Sequence, residues 1–213
     1  VAAAKLREGS RVLGVVGTGV LGGLHAKALA TSSPTLERVV LFNRTGAKAE
    51  KLATVLSSIE KRGGHGTLAV EIASSPRAVA ELADVLVLAS TASEPMVGKG
   101  DIKAGALVFD VSLRDLAPEA YPCAQFIVVD DRGQCLQRGK TLQQLVESGA
   151  LASESIVGEL HEFVAGRAPP PIGEGYAVVF AAGMAIQDIA LAADLYLDAV
   201  HRGIGTQLPL TYP

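Results

Sequence analysis

The chain has 213 residues, 49% hydrophobic, 4% aromatic and 19% charged, with a formal net charge of −3. That length accommodates one large domain, or a domain with a small appendage, and the slight acidic excess offers no electrostatic basis for binding nucleic acid or an anionic membrane. The longest stretch nearly free of charge, 169–186, holds Glu174 and three prolines, so it cannot cross a bilayer as a helix.

In chain order, residues 1–9, VAAAKLREG, read as the last two turns of a helix closed by Gly9, and its earlier part is expected to precede this sequence. Val12–Val16 is a short apolar run stopping at Gly17. Gly19 and Gly22 follow at G-x-G-x-x-G spacing, and a helical pattern continues to Ala30. A dinucleotide pyrophosphate needs this arrangement. Gly17 permits the tight turn out of the strand, Gly19 keeps side-chain bulk from the phosphates, and Gly22 lets the helix lie close on the sheet. The free N–H groups and positive end of the helix then face the anion. Gly17, Thr18, Gly19, Val20, Leu21 and Gly22 are therefore the expected pyrophosphate loop.

A second strand, Val39–Phe42, ends at Asn43-Arg44-Thr45. NAD sites usually carry Asp or Glu here, to accept from the ribose 2′-hydroxyl. A neutral Asn followed by Arg instead offers charge-assisted hydrogen bonds to a 2′-phosphate, unless Arg44 is a solvated loop side chain. NADP(H) is therefore expected ahead of NAD(H). Ala47–Ile59 carries a helical apolar face of Ala49, Leu52, Ala53, Leu56 and Ile59. The polar loop 61–66 holds His65, which reads as a surface residue.

Leu68–Ile72 is a third strand and Pro76–Leu82 a short helix with Pro at its start. Ala83–Ala89 is a fourth strand, buried on both faces, that runs into Ser90 and Thr91. At the carboxyl end of a strand in a doubly wound sheet, Ala89, Ser90 and Thr91 are placed to meet the ribose and nicotinamide, or else they are simple turn residues. A fifth strand, Ala106–Phe109, leads to Val111, Ser112, Arg114 and Asp115, the densest polar cluster on that side. Val111 and Ser112 join the expected cofactor residues. Asp115 beside Arg114 has the chemistry for proton transfer or for anchoring a substrate, or equally for a helix cap and a surface ion pair.

Gln125–Asp130 is a sixth strand, and 132–148 reads as a polar, amphipathic, solvated segment. Glu154–Gly166 reads as a helix with Ile156, Val157, Leu160 and Val164 on one side, Tyr176–Phe180 as a strand, and Met184–His201 as a long helix. That last helix carries a polar stripe of Gln187, Asp194, Asp198 and His201 with a wide apolar remainder, so several neighbours are expected to bury it. Leu191, Leu195 and Val200 should be poorly covered in this chain by itself. A mean hydropathy of +0.34 points the same way, to apolar surface meant for another domain or subunit. Cys123 and Cys135 have no metal-ligand spacing; no metal is expected, and a reducing cytoplasm is the default setting.

These elements give an α/β fold: a Rossmann-type, doubly wound, mostly parallel sheet over 10–180, with a C-terminal helical segment at 181–213. The ordered set of motifs resembles the ornithine cyclodeaminase/μ-crystallin family. It comprises LGVVGTGVLGGLHAKAL at 13–29, VVLFNRTGAKAEKLA at 39–53, ADVLVLASTASEP at 83–95, IKAGALVFDV at 102–111, ESIVGELHEFVAGRAP at 154–169 and VVFAAGMAIQDIALAADLY at 178–196. The resemblance implies an NAD(P)-dependent enzyme acting on a C–N bond of an amino or imino acid, and a homodimer. It also implies a substrate and dimerisation domain, built mainly from a preceding segment, on which the last helix would pack. That domain would carry the arginine and lysine that hold the substrate carboxylate.

SLRDLAPE at 112–119 resembles the branch that forms diaminopropionate by oxidising an N-(amino-carboxyethyl)-glutamate. In the cyclodeaminase branch a catalytic Asp stands where an ungapped match puts Arg114, with Asp115 one position later, and Ala181-Ala182 replace a polar segment. A cyclodeaminase is therefore the weaker reading within the family. A μ-crystallin-like protein that holds NADPH without turnover is a further alternative. Shikimate dehydrogenases and glutamyl-tRNA reductases share Asn-Arg-Thr after the second strand, but the GMAIQD segment argues against them.

Overall fold

The structure is a computed structural model that describes residues 6–7, 9–59, 68–112 and 114–208. Of the expected helix end at 1–9, only Leu6, Arg7 and Gly9 are among these, and the 61–66 loop with His65 lies outside them. The chain divides into two compact units, one reaching Ala182 and one beginning at Gly183.

The first unit is built on eight strands: β1 (Val12–Val16), β2 (Arg38–Phe42), β3 (Ala69–Ile72), β4 (Val85–Leu88), β5 (Leu107–Asp110), β6 (Phe126–Val129), β7 (Ile156–Glu159) and β8 (Ala177–Phe180). They form one sheet in the order β3-β2-β1-β4-β5-β8-β6-β7, and every pairing is parallel. Parallel strands need crossovers. Helices α1 (Val20–Ser32), α2 (Gly46–Ser57) and α3 (Pro76–Ala80) supply the first three. The winding reverses between β1 and β4, and in such sheets the crevice at that reversal takes the ligand.

Burial on both faces explains why the central strands are continuous apolar runs. Val85 and Val87 of β4 join one core with Ala26 and Ala30 of α1 and Leu52 and Leu56 of α2. Leu86 and Leu88 point the other way, to a core that includes Val79 of α3 and Tyr121. This two-residue alternation, with apolar side chains at both phases, fixes β4 as an interior strand. Edge strand β3 is largely exposed.

Two segments differ from the sequence expectation. Residues 154–166 are not a single helix: Ile156–Glu159 is β7, paired to β6, and only Leu160–Val164 (α6) is helical. The β-branched Ile156-Val157 pair suits a strand, and an open sheet edge beside β6 outweighs the weak helical period. Phe163, not Val164, is the buried anchor of α6. Residues 132–148 are less solvated than expected. They form α4 (Arg132–Cys135) and α5 (Thr141–Glu147), and Cys135 and Leu142 are fully buried in the second core. In the sheet, β8 lies between β5 and β6.

The entry to β1 is fastened by Asp84. Its carboxylate accepts from the N–H groups of Arg11 (2.8 Å) and Val12 (3.0 Å) and pairs with Lys103 (2.6 Å) and Arg7 (3.3 Å). Burial works to raise its pKa, but the Lys103 hydrogen bond, the two backbone donors and the Lys103 charge outweigh it and hold the group at about 2. A carboxyl depressed by folding stabilises above its unfolded pKa and loses that contribution as pH falls through the folded value. Asp84→Asn should therefore cost about 1–2 kcal/mol at pH 7, discounted for partial solvent access. Urea melts of both proteins should converge near pH 2, and a gap that persisted there would assign the effect to packing.

The second unit contains α7 (Ala185–Arg202), closed by Gly203 in the left-handed conformation. Among its apolar side chains Leu191, Leu195 and Val200 are 61%, 60% and 56% exposed.

Candidate functional site

The turn from β1 into α1 shows which glycines the fold itself requires. Gly17 has φ +91°, and a Cβ there would lie 2.7 Å from the Ala89 backbone. At Gly22 a Cβ would fall 1.9 Å from the Gly17 carbonyl oxygen, so this residue sets how closely α1 approaches the turn. Gly19 differs from both. It is the N-cap of α1 with φ −73° and ψ −161°, an extended conformation open to other residues, and a Cβ there would meet nothing within 4 Å. Neither packing nor backbone demands glycine at this position. What its missing side chain keeps clear is the space outside the helix end, where no side chain caps α1. That cradle fits a pyrophosphate bound by the free N–H groups.

Gly17, Gly19, Asn43, Arg44, Thr45, Ala89, Ser90 and Thr91 line one cleft, between the ends of β2 and β4. The sequence thus placed eight of its expected cofactor residues around one opening. Phe42, Lys48, Ala92 and Met96 also line it and were missed. Lys48 had a legible signal, standing one helical turn beyond Arg44 at the start of α2. Among the described residues neither Arg44 nor Lys48 forms an ion pair, and no carboxylate is among the lining residues. The cleft is cationic on the β2 side.

Asn43 braces the loops. Its Oδ1 accepts from the Thr18 N–H (3.0 Å) and its Nδ2 donates to the Thr45 carbonyl (3.0 Å). Thr18 is buried, and among the described residues its hydroxyl has no hydrogen-bond partner. Gly22 lies buried behind the turn, while Val20 and Leu21 are exposed on the first turn of α1. Val111 and Ser112 are half-buried beyond β5 and are not among the lining residues.

Arg114 and Asp115 do not form the expected pair. Arg114 is exposed and Asp115 is fully buried, and among the described residues no ion pair joins them. Both Asp115 oxygens accept from Ser90, at 2.8 Å from its N–H and 2.5 Å from its hydroxyl. A carboxylate so enclosed has both oxygens taken up by donors of the fold itself. Asp110, also fully buried, accepts from Tyr121 Oη, from Ser112 Oγ (2.9 Å) and from the Ser112 N–H (3.2 Å). Burial raises its pKa against the pull of these donors, and the nearby Asp115 charge adds to the rise.

Residues 2–203 match the model of the ornithine cyclodeaminase/mu-crystallin family. The chain is 27% identical over 205 residues to the N-((2S)-2-amino-2-carboxyethyl)-L-glutamate dehydrogenase of Staphylococcus aureus, covering 96% of this chain and 60% of that protein. It is 31% identical over 202 residues to the ketimine reductase mu-crystallin of Rattus norvegicus, covering 92% and 57%. The Thermococcus litoralis Delta(1)-pyrroline-2-carboxylate reductase, solved in complex with NADH and L-proline, superposes with a TM-score of 0.83 at 26% identity, covering 97% of this chain and 64% of that one. The chain thus spans about three-fifths of the length of the relatives it matches. A parallel sheet wound about a glycine turn, matched along nearly its whole length, settles the lineage: this chain belongs to the ornithine cyclodeaminase/mu-crystallin family.

Proposed function

We propose that this chain is the dinucleotide-binding part of an NAD(P)-dependent oxidoreductase that acts on a C–N bond of an amino or imino acid. The observation that carries the reading is Gly19, a glycine that nothing inside the fold requires, at the mouth of a cleft walled by Arg44 and Lys48. The relatives add the chemistry: a dehydrogenase and two reductases whose names all point to compounds with a carbon–nitrogen bond. When bound, the nicotinamide cofactor would supply hydride to, or accept it from, the carbon of that bond.

In this reading Gly17, Thr18, Gly19, Val20, Leu21 and Gly22 hold the pyrophosphate. Asn43 ties that turn to the β2 end, and Arg44 with Thr45 and Lys48 receives a ribose 2′-phosphate, so that NADP(H) is preferred. The 90–97 loop forms the opposite wall, with Val111 and Ser112 at the next strand end. Substrate chemistry belongs to the whole protein, for which we propose a cytoplasmic homodimer. Among the described residues no helix is long and apolar enough to cross a membrane. Titrating the chain with NADPH and NADH by fluorescence tests the reading, and binding of neither would refute it.

The proposed association rests on α7. Leaving such a face in water costs about 25 cal/mol per Å² of apolar surface. The chain should self-associate in a concentration-dependent manner, and Leu191→Glu with Leu195→Glu should shift light scattering toward monomer. A monodisperse monomer at high concentration before substitution would count against the dimer.

A further inference from the structure

Asp115 contributes no surface to the cleft, yet it grips one wall at both ends. Its carboxylate takes the N–H and the hydroxyl of Ser90. Its backbone carbonyl accepts from the N–H groups of Met96 (2.9 Å) and Val97 (3.0 Å). Between these anchors the Ser90 oxygen also accepts from the Ala92 N–H (3.0 Å), which sets the turn. Four members of the held segment, Ser90, Thr91, Ala92 and Met96, line the cleft opposite Arg44 and Lys48.

Asp115 is itself held from behind. Its N–H donates to Ser112 Oγ (3.0 Å), which donates in turn to Asp110, and Asp110 accepts from Tyr121. A hydrogen-bonded chain therefore runs from Tyr121 through Asp110, Ser112 and Asp115 to Ser90, linking the ends of β4 and β5. A polar chain with its two carboxylates buried and its members paired makes the local geometry rigid and specific.

We propose that Asp115 is a positioning residue: it staples the 90–97 loop and so fixes the cleft wall that a bound dinucleotide meets across from Arg44 and Lys48. This rests on the dinucleotide reading above. The wall serves both nucleotides, whereas Arg44 addresses only the 2′-phosphate. Losing the staple therefore weakens NADP(H) and NAD(H) together.

The conservative variant separates positioning from acid–base chemistry. In Asp115→Asn the side-chain oxygen still accepts from the Ser90 N–H, and the new amide donates to the Ser90 oxygen, which has a lone pair to receive it. In Asp115→Ala the N–H and hydroxyl of half-buried Ser90 lose their partner, a loss that should weaken binding about tenfold. Ser90→Ala removes the hydroxyl while keeping Asp115, and covers the case in which Asp115→Ala fails to fold.

The experiment measures NADPH and NADH affinities of the unmodified chain and the three variants. Amide hydrogen exchange across 90–97 is followed without nucleotide. Asp115→Ala and Ser90→Ala should lose affinity for both nucleotides alike and exchange faster in that loop, while Asp115→Asn stays close to the unmodified chain. Unchanged exchange and affinity in both alanine variants would overturn the proposal. A loss confined to NADPH would overturn it too, as would an Asn variant as damaged as the Ala variant. An unmodified chain that binds neither nucleotide would instead defeat the dinucleotide reading, and the exchange measurement would still decide whether Asp115 holds the loop.

Discussion

Gly19→Val abolishes dinucleotide binding and leaves the thermal melt of the chain almost where it was. The two halves of this expected result have separate causes. Stability is spared because a Cβ at this position meets nothing within 4 Å and the backbone, at φ −73°, is in a region that valine adopts. Binding is lost because two methyl groups then occupy the space through which the pyrophosphate must approach the helix end. Gly22→Ala provides the contrast. Its Cβ is driven into the Gly17 carbonyl oxygen, so it should lower the melting temperature together with affinity. Calorimetry with NADPH beside thermal melts reads both. Unchanged affinity in a folded Gly19→Val variant would remove the foundation of the dinucleotide reading.

Arg44→Ala costs NADP(H) about 10- to 150-fold in affinity, the equivalent of a bidentate charge-assisted contact worth roughly 1.5–3 kcal/mol. NAD(H), which has a hydroxyl in place of the phosphate, should change little. The lining of the cleft supports this selectivity, because among the described residues Arg44 and Lys48 share it with no carboxylate. Equal losses for both nucleotides, or tighter NAD(H) binding by the unmodified chain, would contradict the NADP(H) assignment. The effect should also weaken with added salt, since both side chains are exposed.

The first half of the fold could be read from sequence because each signal there is local. Val12–Val16, the glycine spacing and the α2 stripe of Ala49, Leu52 and Leu56 depend only on neighbours within a turn or two, and each lies where the pattern put it. Residues 154–166 could not be read this way. Ile156-Val157 fits helix and strand alike at that length, and what decides is an open hydrogen-bonding edge on β6, formed by residues some thirty positions earlier. The surroundings of Asp115 were not legible for a related reason. A polar residue just after a strand end has the sequence appearance of a ligand-facing group, and only the approach of Ser90, twenty-five residues away, shows that it faces inward. Asn43 sits between these cases: its position was legible, but its work as a brace for Thr18 depends on β1 and β2 lying side by side.

The place of β8 bears on how this sheet comes into being. β5 and β6 are not paired with one another. Ala177–Phe180 lies between them, with Ala177 in register with Leu107 on one side and Phe126 on the other. During synthesis, strands β1 to β5 therefore emerge with a complete set of mutual partners, and the cleft walls at the ends of β2 and β4 belong to that early group. The β6–β7 pair emerges next with no strand to join. It waits, with its Phe126–Val129 edge open, until the last strand of the unit leaves the ribosome and acts as a keystone between the two parts. Closure late in the chain is slow, because it ties residues far apart in sequence. The interval before it is when an unpaired apolar edge is most exposed to other chains.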